Sequence, residues 1–397
     1  MPPSSPAELP GGETLCPHFG ACGGCATQNA PYAEQLAAKE ARVRGLLAPF
    51  SADEFRPIRP SPDVFHYRNK MEFAFGGLKD GPVLLGLRQK GRFDRVVDLT
   101  ECRLLSTAAG PLMAAVRGWA VVHGLPTYHL KSHKGFLRYL VVREGKNTGQ
   151  RLLNLVTAEG DAPGPSFLEA LDASGVSADT VVWTVNAGLS DVAQGGVRAV
   201  WRGAGCIEET LRGKTFRISP FTFFQTNTRG AEELYGVVAD FVGGRVTTLF
   251  DLYCGTGSIG LTVADRADRL VGVELNAAAV EDARENARRQ GAAHAEFHAL
   301  DAAAFARSPE FQTLWTAPGA VAVVDPPRPG LQPDVRRLLA EKPVHRWVYV
   351  SCNPEALVRD LTALSLVYRT VIVQPVDLFP HTPHVETVVL LERRPGA

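Results

Sequence analysis

One stretch limits the possible folds more than any other: Thr248-Leu-Phe-Asp251-Leu-Tyr253-Cys-Gly255-Thr-Gly257-Ser258-Ile-Gly260-Leu. A short apolar run ends on a carboxylate, three glycines follow within six residues, and an apolar helical pattern resumes at once. Further on, Leu270-Val-Gly-Val-Glu274 is a second short apolar run ending on a carboxylate. Strand, glycine turn, helix and strand make a βαβ unit, which commits this part of the chain to a parallel sheet covered by helices. Three more runs end in the same way. Ala295 to Ala299 leads to Asp301, Val321-Ala-Val-Val leads to Asp325, and Trp347-Val-Tyr-Val leads to Ser351-Cys352. In an open α/β sheet the carboxyl ends of the strands share one edge, and ligands sit there. The runs Tyr368 to Val373 and Glu386 to Leu391 predict an antiparallel hairpin closing the end of the sheet.

Gly255-x-Gly257-x-x-Gly260 is literally a dinucleotide fingerprint, so an NAD-dependent oxidoreductase is one reading. Two features favour S-adenosylmethionine instead. Asp251 precedes the turn, where it can meet a ligand ammonium, and a pyrophosphate would not welcome an acidic strand end. Glu274 is placed to accept from two ribose hydroxyls, and Asp301 to meet an adenine amino group. Upstream, Ser219-Pro-Phe-Thr-Phe-Phe-Gln225-Thr-Asn227 sets two amides beside a bulky apolar wall, a pocket edge.

Cys352 sits between the apolar run and Asn353-Pro354, a turn signal that ends the strand. A cysteine there is either an inert buried thiol or a nucleophile. Glu386 enters its strand at the loop end, near the same edge, so a nucleophile and a base are supplied together. Amino-methyltransferases follow an Asp/Asn-Pro-Pro tripeptide with an aromatic residue. Here Asp325-Pro-Pro is followed by Arg328, which argues against that chemistry, and the Asp-x-Pro-Cys pattern of a cytosine-C5 RNA enzyme is missing.

The N-terminal third has a different character. Cys16, Cys22 and Cys25 form C-x5-C-x2-C, a spacing for zinc or an iron–sulfur cluster, with Cys102 or His18 as the fourth ligand. Residues 31–49 predict a helix with Tyr32, Leu36, Val43, Leu46 and Leu47 on its core-facing stripe. Residues 56–215 read as mostly β, in runs such as Lys70–Phe75, Val83–Leu87, Leu137–Val142, Arg151–Val156 and Thr180–Val185. Whole-chain net charge is +0, yet residues 56–150 hold 16 Lys and Arg against 7 Asp and Glu. A local excess of that size suits a polyanion. His66-Tyr-Arg-Asn-Lys70 mixes rings and cations in the manner of base stacking beside phosphate contacts. Seven cysteines, an odd count, argue against a disulfide framework. With no apolar run long enough to span a membrane and no secretory leader pattern, a cytoplasmic protein is expected.

Taken together, Phe-Phe-Gln225-Thr-Asn, Asp251-Leu-Tyr253-Cys-Gly-Thr-Gly, Asp325-Pro-Pro-Arg, Ser-Cys352-Asn-Pro and Pro-His-Thr-Pro-His-Val-Glu386-Thr resemble the RNA uracil-C5 methyltransferase family. The set Cys16, Cys22, Cys25, Cys102 resembles the family's ribosomal-RNA branch, which carries a [4Fe-4S] cluster, in the form without an N-terminal β-barrel RNA-binding domain. The resemblance implies a Rossmann-like α/β methyltransferase domain beside a mostly β domain with the cluster. The divisions are 1–27 as tail and cluster-binding segment, 28–55 as a helix packing on the catalytic domain, 56–217 as the RNA-binding domain and 218–397 as the catalytic domain. It implies S-adenosylmethionine held by Gln225, Asp251, Tyr253, Gly255, Gly257, Ser258, Glu274, Asp301 and Asp325, although relatives often have Asn where this chain has Ser258. Cys352 would add to C6 of a uracil in 23S rRNA, and Glu386 would remove the C5 proton. The same chemistry on tRNA is the alternative. A metal-ordered RNA-binding protein without catalysis is a more distant one, and a monomer is expected.

Overall fold

The computed structural model describes residues 15–77 and 81–396. The helix predicted near the N-terminus is α1 (Tyr32–Leu47), and the short strand β1 (Glu54–Phe55) follows it. The next elements are β2 (Lys70–Gly76), β3 (Leu84–Arg88), β4 (Val96–Asp98), α2 (Ala109–Val122), β5 (Leu137–Glu144), β6 (Arg151–Thr157), α3 (Gly164–Ala173), β7 (Thr180–Val185) and β8 (Gly196–Arg202). After them come β9 (Ile207–Leu211), β10 (Lys214–Ile218), α4 (Thr228–Val242), β11 (Val246–Leu252), α5 (Ser258–Val263), β12 (Ala267–Glu274), α6 (Ala277–Arg289) and β13 (Ala295–Ala299). The chain closes with α7 (Ala302–Arg307), α8 (Pro309–Trp315), β14 (Ala320–Val324), α9 (Pro333–Glu341), β15 (Arg346–Ser351), α10 (Pro354–Leu364), β16 (Tyr368–Val376) and β17 (Glu386–Arg393). Among the described residues no helix is long and apolar enough to cross a membrane.

The larger sheet has eight strands in the order β1-β16-β17-β15-β14-β11-β12-β13. Neighbours from β13 to β15 are parallel, and β17 runs antiparallel between β15 and β16. The central parallel strands β11 and β14 are almost wholly buried, because helices cover both faces. On one face α4, α5 and α6 bury Leu234, Tyr235, Ile259, Leu261 and Val280; on the other, Trp315, Leu339, Leu357 and Leu361 pack on Phe250, Trp347 and Tyr349. The predicted hairpin forms, but it does not end the sheet. The edge belongs to β1, where Glu54 and Phe55 pair with Ile372 and Val373.

The second sheet has seven strands, β4-β3-β2-β5-β6-β7-β8, antiparallel except where β6 and β7 run parallel across α3. Helices α2 and α3 cover one face, with Leu112, Val116, Trp119 and Phe167 fully or nearly buried. The hairpin of β9 and β10 sends Ile207, Leu211, Phe216 and Ile218 into the core beneath the larger sheet, while Glu208 and Glu209 stay hydrogen-bonded to the β5–β6 turn.

Helix α1 departs from its expected pattern. Its buried positions are Gln35, Lys39, Val43 and Leu47, one residue in four along one face, while Leu36 and Leu46 are half-buried. Periodicity of apolar residues misplaced the face because two of its four inner positions are polar. Lys39 Nζ binds Asp377 Oδ1 at 2.7 Å and the Phe379 carbonyl at 3.0 Å. Tyr32 Oη donates to Asp377 Oδ2 at 2.9 Å. A buried charge is tolerated when it is paired and hydrogen-bonded in this way.

Candidate active site

The glycine turn after β11 is built by backbone conformation. Tyr253, Gly255 and Gly257 all have positive φ (62°, 54° and 76°), a region that only glycine enters without cost. A Cβ at Gly255 would find open space, its nearest neighbour being the Phe223 ring at 3.9 Å. Phe223 itself is 65% exposed, so an aromatic ring lies uncovered beside the turn. In the sequence it was only part of an apolar wall.

Asp251 is fully buried. Its Oδ2 accepts from the Gly260 amide at 2.8 Å, and its Oδ1 has no partner. Burial pushes its carboxyl up to about 7 against the pull of that amide, and Asp325 and Glu274 add to the rise. Glu274, at the end of β12, accepts from the Gly255 amide at 3.2 Å and the Asn276 amide at 2.8 Å. Each carboxylate oxygen keeps a further lone pair for a ligand hydroxyl. Asp301 stands between β13 and α7 at the same edge. Ser258 Oγ is turned to the buried Tyr235 hydroxyl at 2.8 Å. Gln225 is nearly buried, and its carbonyl accepts from Asn69 Nδ2 at 2.7 Å. Asn227 caps α4 through Gly230 and donates to Ser61 and to the Leu378 carbonyl, so this amide is structural.

The second half of the site follows from register. Ser351 pairs with Thr387, so one step further Cys352 stands beside Glu386. Asp325 follows β14, the neighbour of β15. The proximity is electrostatic as well as geometric. The Cys352 thiol is pushed up to about 12 by burial, then by the carboxyls of Glu386 and Asp325, while Arg328 pulls it down. Glu386 is 3% exposed; burial and Asp325 push it up to about 8, again against Arg328. Asp325 is pushed up to about 7 by burial. Arg328 is therefore a cation beside both groups, with its own side chain 3.1 Å from His384 Nδ1 and its carbonyl held by Asn353 Nδ2 at 3.0 Å. In the sequence Arg328 excluded one reaction and completed a family motif; its role as local counter-charge required the fold.

Cys16, Cys22, Cys25 and Cys102 line one cavity, together with His18 and Gln28. The Cys25 thiol is pushed up to about 12, chiefly by burial and then by Cys102, Cys22 and Cys16. His18 Nε2 is engaged with the amide and hydroxyl of Thr100, both at 3.0 Å, which turns it from a fourth-ligand role. Among the described residues no group of three or more His, Cys, Asp or Glu side chains is arranged to hold a single metal ion. The four cysteines expected to bind an iron–sulfur cluster thus share one cavity, but the cluster site itself is not shown.

A family model described as tRNA (Uracil-5-)-methyltransferase matches residues 206–394. An uncharacterized RNA methyltransferase of Clostridium tetani (strain Massachusetts / E88) is 40% identical over 390 residues, covering 96% of this chain and 84% of the relative. The tRNA (uracil(54)-C(5))-methyltransferase of Pyrococcus horikoshii is 36% identical, covering 95% and 85%. The crystal structure of the Pyrococcus abyssi tRNA (uracil-54, C5)-methyltransferase in complex with S-adenosyl-L-homocysteine superposes with a TM-score of 0.78 at 32% identity, covering 94% and 86%. The α/β architecture is that of this enzyme, and the chain belongs to the RNA uracil-5-methyltransferase family.

Proposed function

We propose that this RNA methyltransferase transfers a methyl group from S-adenosylmethionine to C5 of a tRNA uridine, with Cys352 as nucleophile and Glu386 as base. The observation that carries the reading is the juxtaposition of the Cys352 thiol and the Glu386 carboxyl at one sheet edge, beside Asp325 and Arg328. The residues around the glycine turn fit the methyl donor. Asp251 Oδ1 is a buried acceptor without a partner, and Gly255 leaves an open approach. S-Adenosylmethionine supplies an electrophilic methyl group on a positively charged sulfur.

C5 of uracil is a weak nucleophile. The Cys352 thiolate adds to C6, the electron density released lets C5 attack the donor methyl carbon, and the sulfur–methyl bond breaks with its electrons staying on sulfur in S-adenosylhomocysteine. Asp325 orients the uracil edge. Arg328 lowers the thiol toward ionisation and balances the enolate oxygen. The Glu386 carboxylate then takes the C5 proton, C5=C6 re-forms and the thiolate leaves. A base inside a helix cannot reach Cys352, so the target is taken from a loop or flipped from its stack.

The four-cysteine pattern pointed to 23S rRNA, but the relatives from Pyrococcus that span the chain carry tRNA and position 54 in their names. A tRNA uridine is therefore the preferred substrate. The cysteines fit a thiolate-bound [4Fe-4S] group. Four converge on one cavity, and Gln28 Nε2, fully buried at its wall, is a donor without an acceptor. Cys16, Cys22, Cys25 and Cys102 would hold the group.

The RNA contact extends onto the smaller sheet. The β3–β4 loop carries Lys90, Arg92, Phe93 and Arg95, and Phe93 is 71% exposed. Lys131 reaches this loop at Asp94, 3.5 Å away. An uncovered ring among cations is suited to base stacking beside phosphates. The deciding experiment incubates the protein and S-adenosylmethionine with 5-fluorouridine-substituted tRNA and 23S rRNA in parallel. Fluorine blocks removal from C5, so a covalent band on a denaturing gel, lost in Cys352→Ala, is expected on tRNA. A band on rRNA alone keeps the chemistry and overturns the substrate. No band on either RNA from folded protein overturns the nucleophile.

A further inference from the structure

The loop between β16 and β17 ends at Glu386, and the N-terminal third of the chain grips it at residues 380 and 381. The His381 carbonyl accepts from the amides of Ala26 at 2.7 Å and Thr27 at 3.0 Å, immediately after Cys25. The His381 amide donates to Gln35 Oε1 at 2.7 Å, and Thr27 Oγ1 shares that acceptor at 3.2 Å. The Phe65 ring lies against the His381 ring, tilted by 31°, with centroids 4.4 Å apart. His381 has φ 66°, a left-handed conformation that a residue with a Cβ holds only where its surroundings enforce it.

The other cysteine arm reaches the same loop. The carbonyls of Arg103 and Leu104, next to Cys102, accept from the amides of His66 at 2.7 Å and Arg68 at 2.9 Å. Between these two anchors Tyr67, buried to 1% exposure, donates its hydroxyl to the Pro380 carbonyl at 3.0 Å. Segment 22–27 and segment 102–105 therefore converge on the four-thiol cavity at one end and on Pro380-His381 at the other.

We propose that the two cysteine-bearing segments form a clasp that sets the position of Glu386, with Thr27 and Tyr67 as positioning residues for proton removal. The inference rests on the methyltransferase reading above and assigns the thiol cavity a task in one step of it. After methyl transfer, C5 carries both the new methyl group and its original hydrogen. The Glu386 carboxylate takes that proton, the C5–H electron pair becomes the C5=C6 bond, and the C6–S bond breaks with its electrons leaving on Cys352. Addition and methyl transfer precede this and do not use the carboxylate. A loosened clasp should slow the last step selectively, and misplacement by about 1 Å costs up to about 100-fold.

The test is a single turnover on tRNA carrying tritium at uridine C5, with the donor methyl labelled with carbon-14. In Tyr67→Phe and Thr27→Pro, carbon-14 should enter an RNA–protein adduct stable on a denaturing gel at near wild-type rate. Tritium release should slow about 10-fold. Wild-type protein stripped of iron should show the same split. Carbon-14 entry and tritium release falling together, or neither changing, overturns the clasp. Should Thr27→Pro fail to fold, Tyr67→Phe, which loses a single hydroxyl, decides alone. Wild-type protein that neither releases tritium nor forms an adduct would instead sink the methyltransferase reading, and the clasp with it.

Discussion

Lys39 and Asp377 lie 338 residues apart in sequence and meet at 2.7 Å with side chains 5% and 0% exposed. Removing one member leaves the other charge buried and unpaired. Lys39→Met should cost about 3–5 kcal/mol. The double variant Lys39→Met/Asp377→Leu should recover part of that loss. Urea unfolding of both variants checks the sign of the recovery.

Glu386→Gln keeps the shape of the site and removes the base. Turnover should fall at least about 100-fold. The methylated adduct should then persist on unmodified tRNA without any fluorine, whereas Cys352→Ala should form no adduct at all. A denaturing gel distinguishes the two.

Binding of the methyl donor should depend on pH through Asp251. Only the ionised carboxylate attracts an ammonium, and its carboxyl is pushed up to about 7. Affinity should therefore weaken about 10-fold for each pH unit below that value. Titration calorimetry from pH 5.5 to 8.5 measures this, and Asp251→Asn should abolish the slope. Gly260→Ala should also weaken binding, because its Cβ would stand 2.7 Å from Asp251 Oδ2.

The loop cations should act on RNA alone. Phe93→Ala and Arg92→Glu should weaken tRNA binding while leaving donor affinity unchanged, and Arg92→Glu should flatten its salt dependence. Filter binding at several salt concentrations reads both effects.

Anaerobically purified protein should be brown and carry iron and acid-labile sulfide. Serine at Cys16, Cys22, Cys25 or Cys102 should lower both, while Cys206→Ser should not. Metal analysis and visible absorbance provide the check.

The strand-end residues were legible because each lies in a local motif: an apolar run, then a carboxylate or thiol, then a turn. Asp251, Glu274, Asp325 and Cys352 needed only the rule that parallel strands share an edge. Glu386 needed the hairpin as well. What escaped the sequence is non-local. The polar face of α1 was invisible because Gln35 and Lys39 are buried by His381 and Asp377, partners more than 300 residues away. Strand β8 escaped for a different reason: four of its seven residues are exposed and none is fully buried, so no alternation of apolar and polar residues marks it. Arg328 and Phe223 lie inside family motifs, but only the fold sets one beside Cys352 and the other beside the glycine turn.

The edge strand β1 and helix α1 belong in space to the larger sheet but leave the ribosome first. At about 5–20 residues per second, roughly 20 seconds to a minute separates the synthesis of Lys39 from that of Asp377. For that interval a lysine-bearing helix and an unpaired strand wait without their partners. The newborn chain therefore has a window in which a chaperone, or another nascent chain, competes for the surface that the C-terminal hairpin will finally cover.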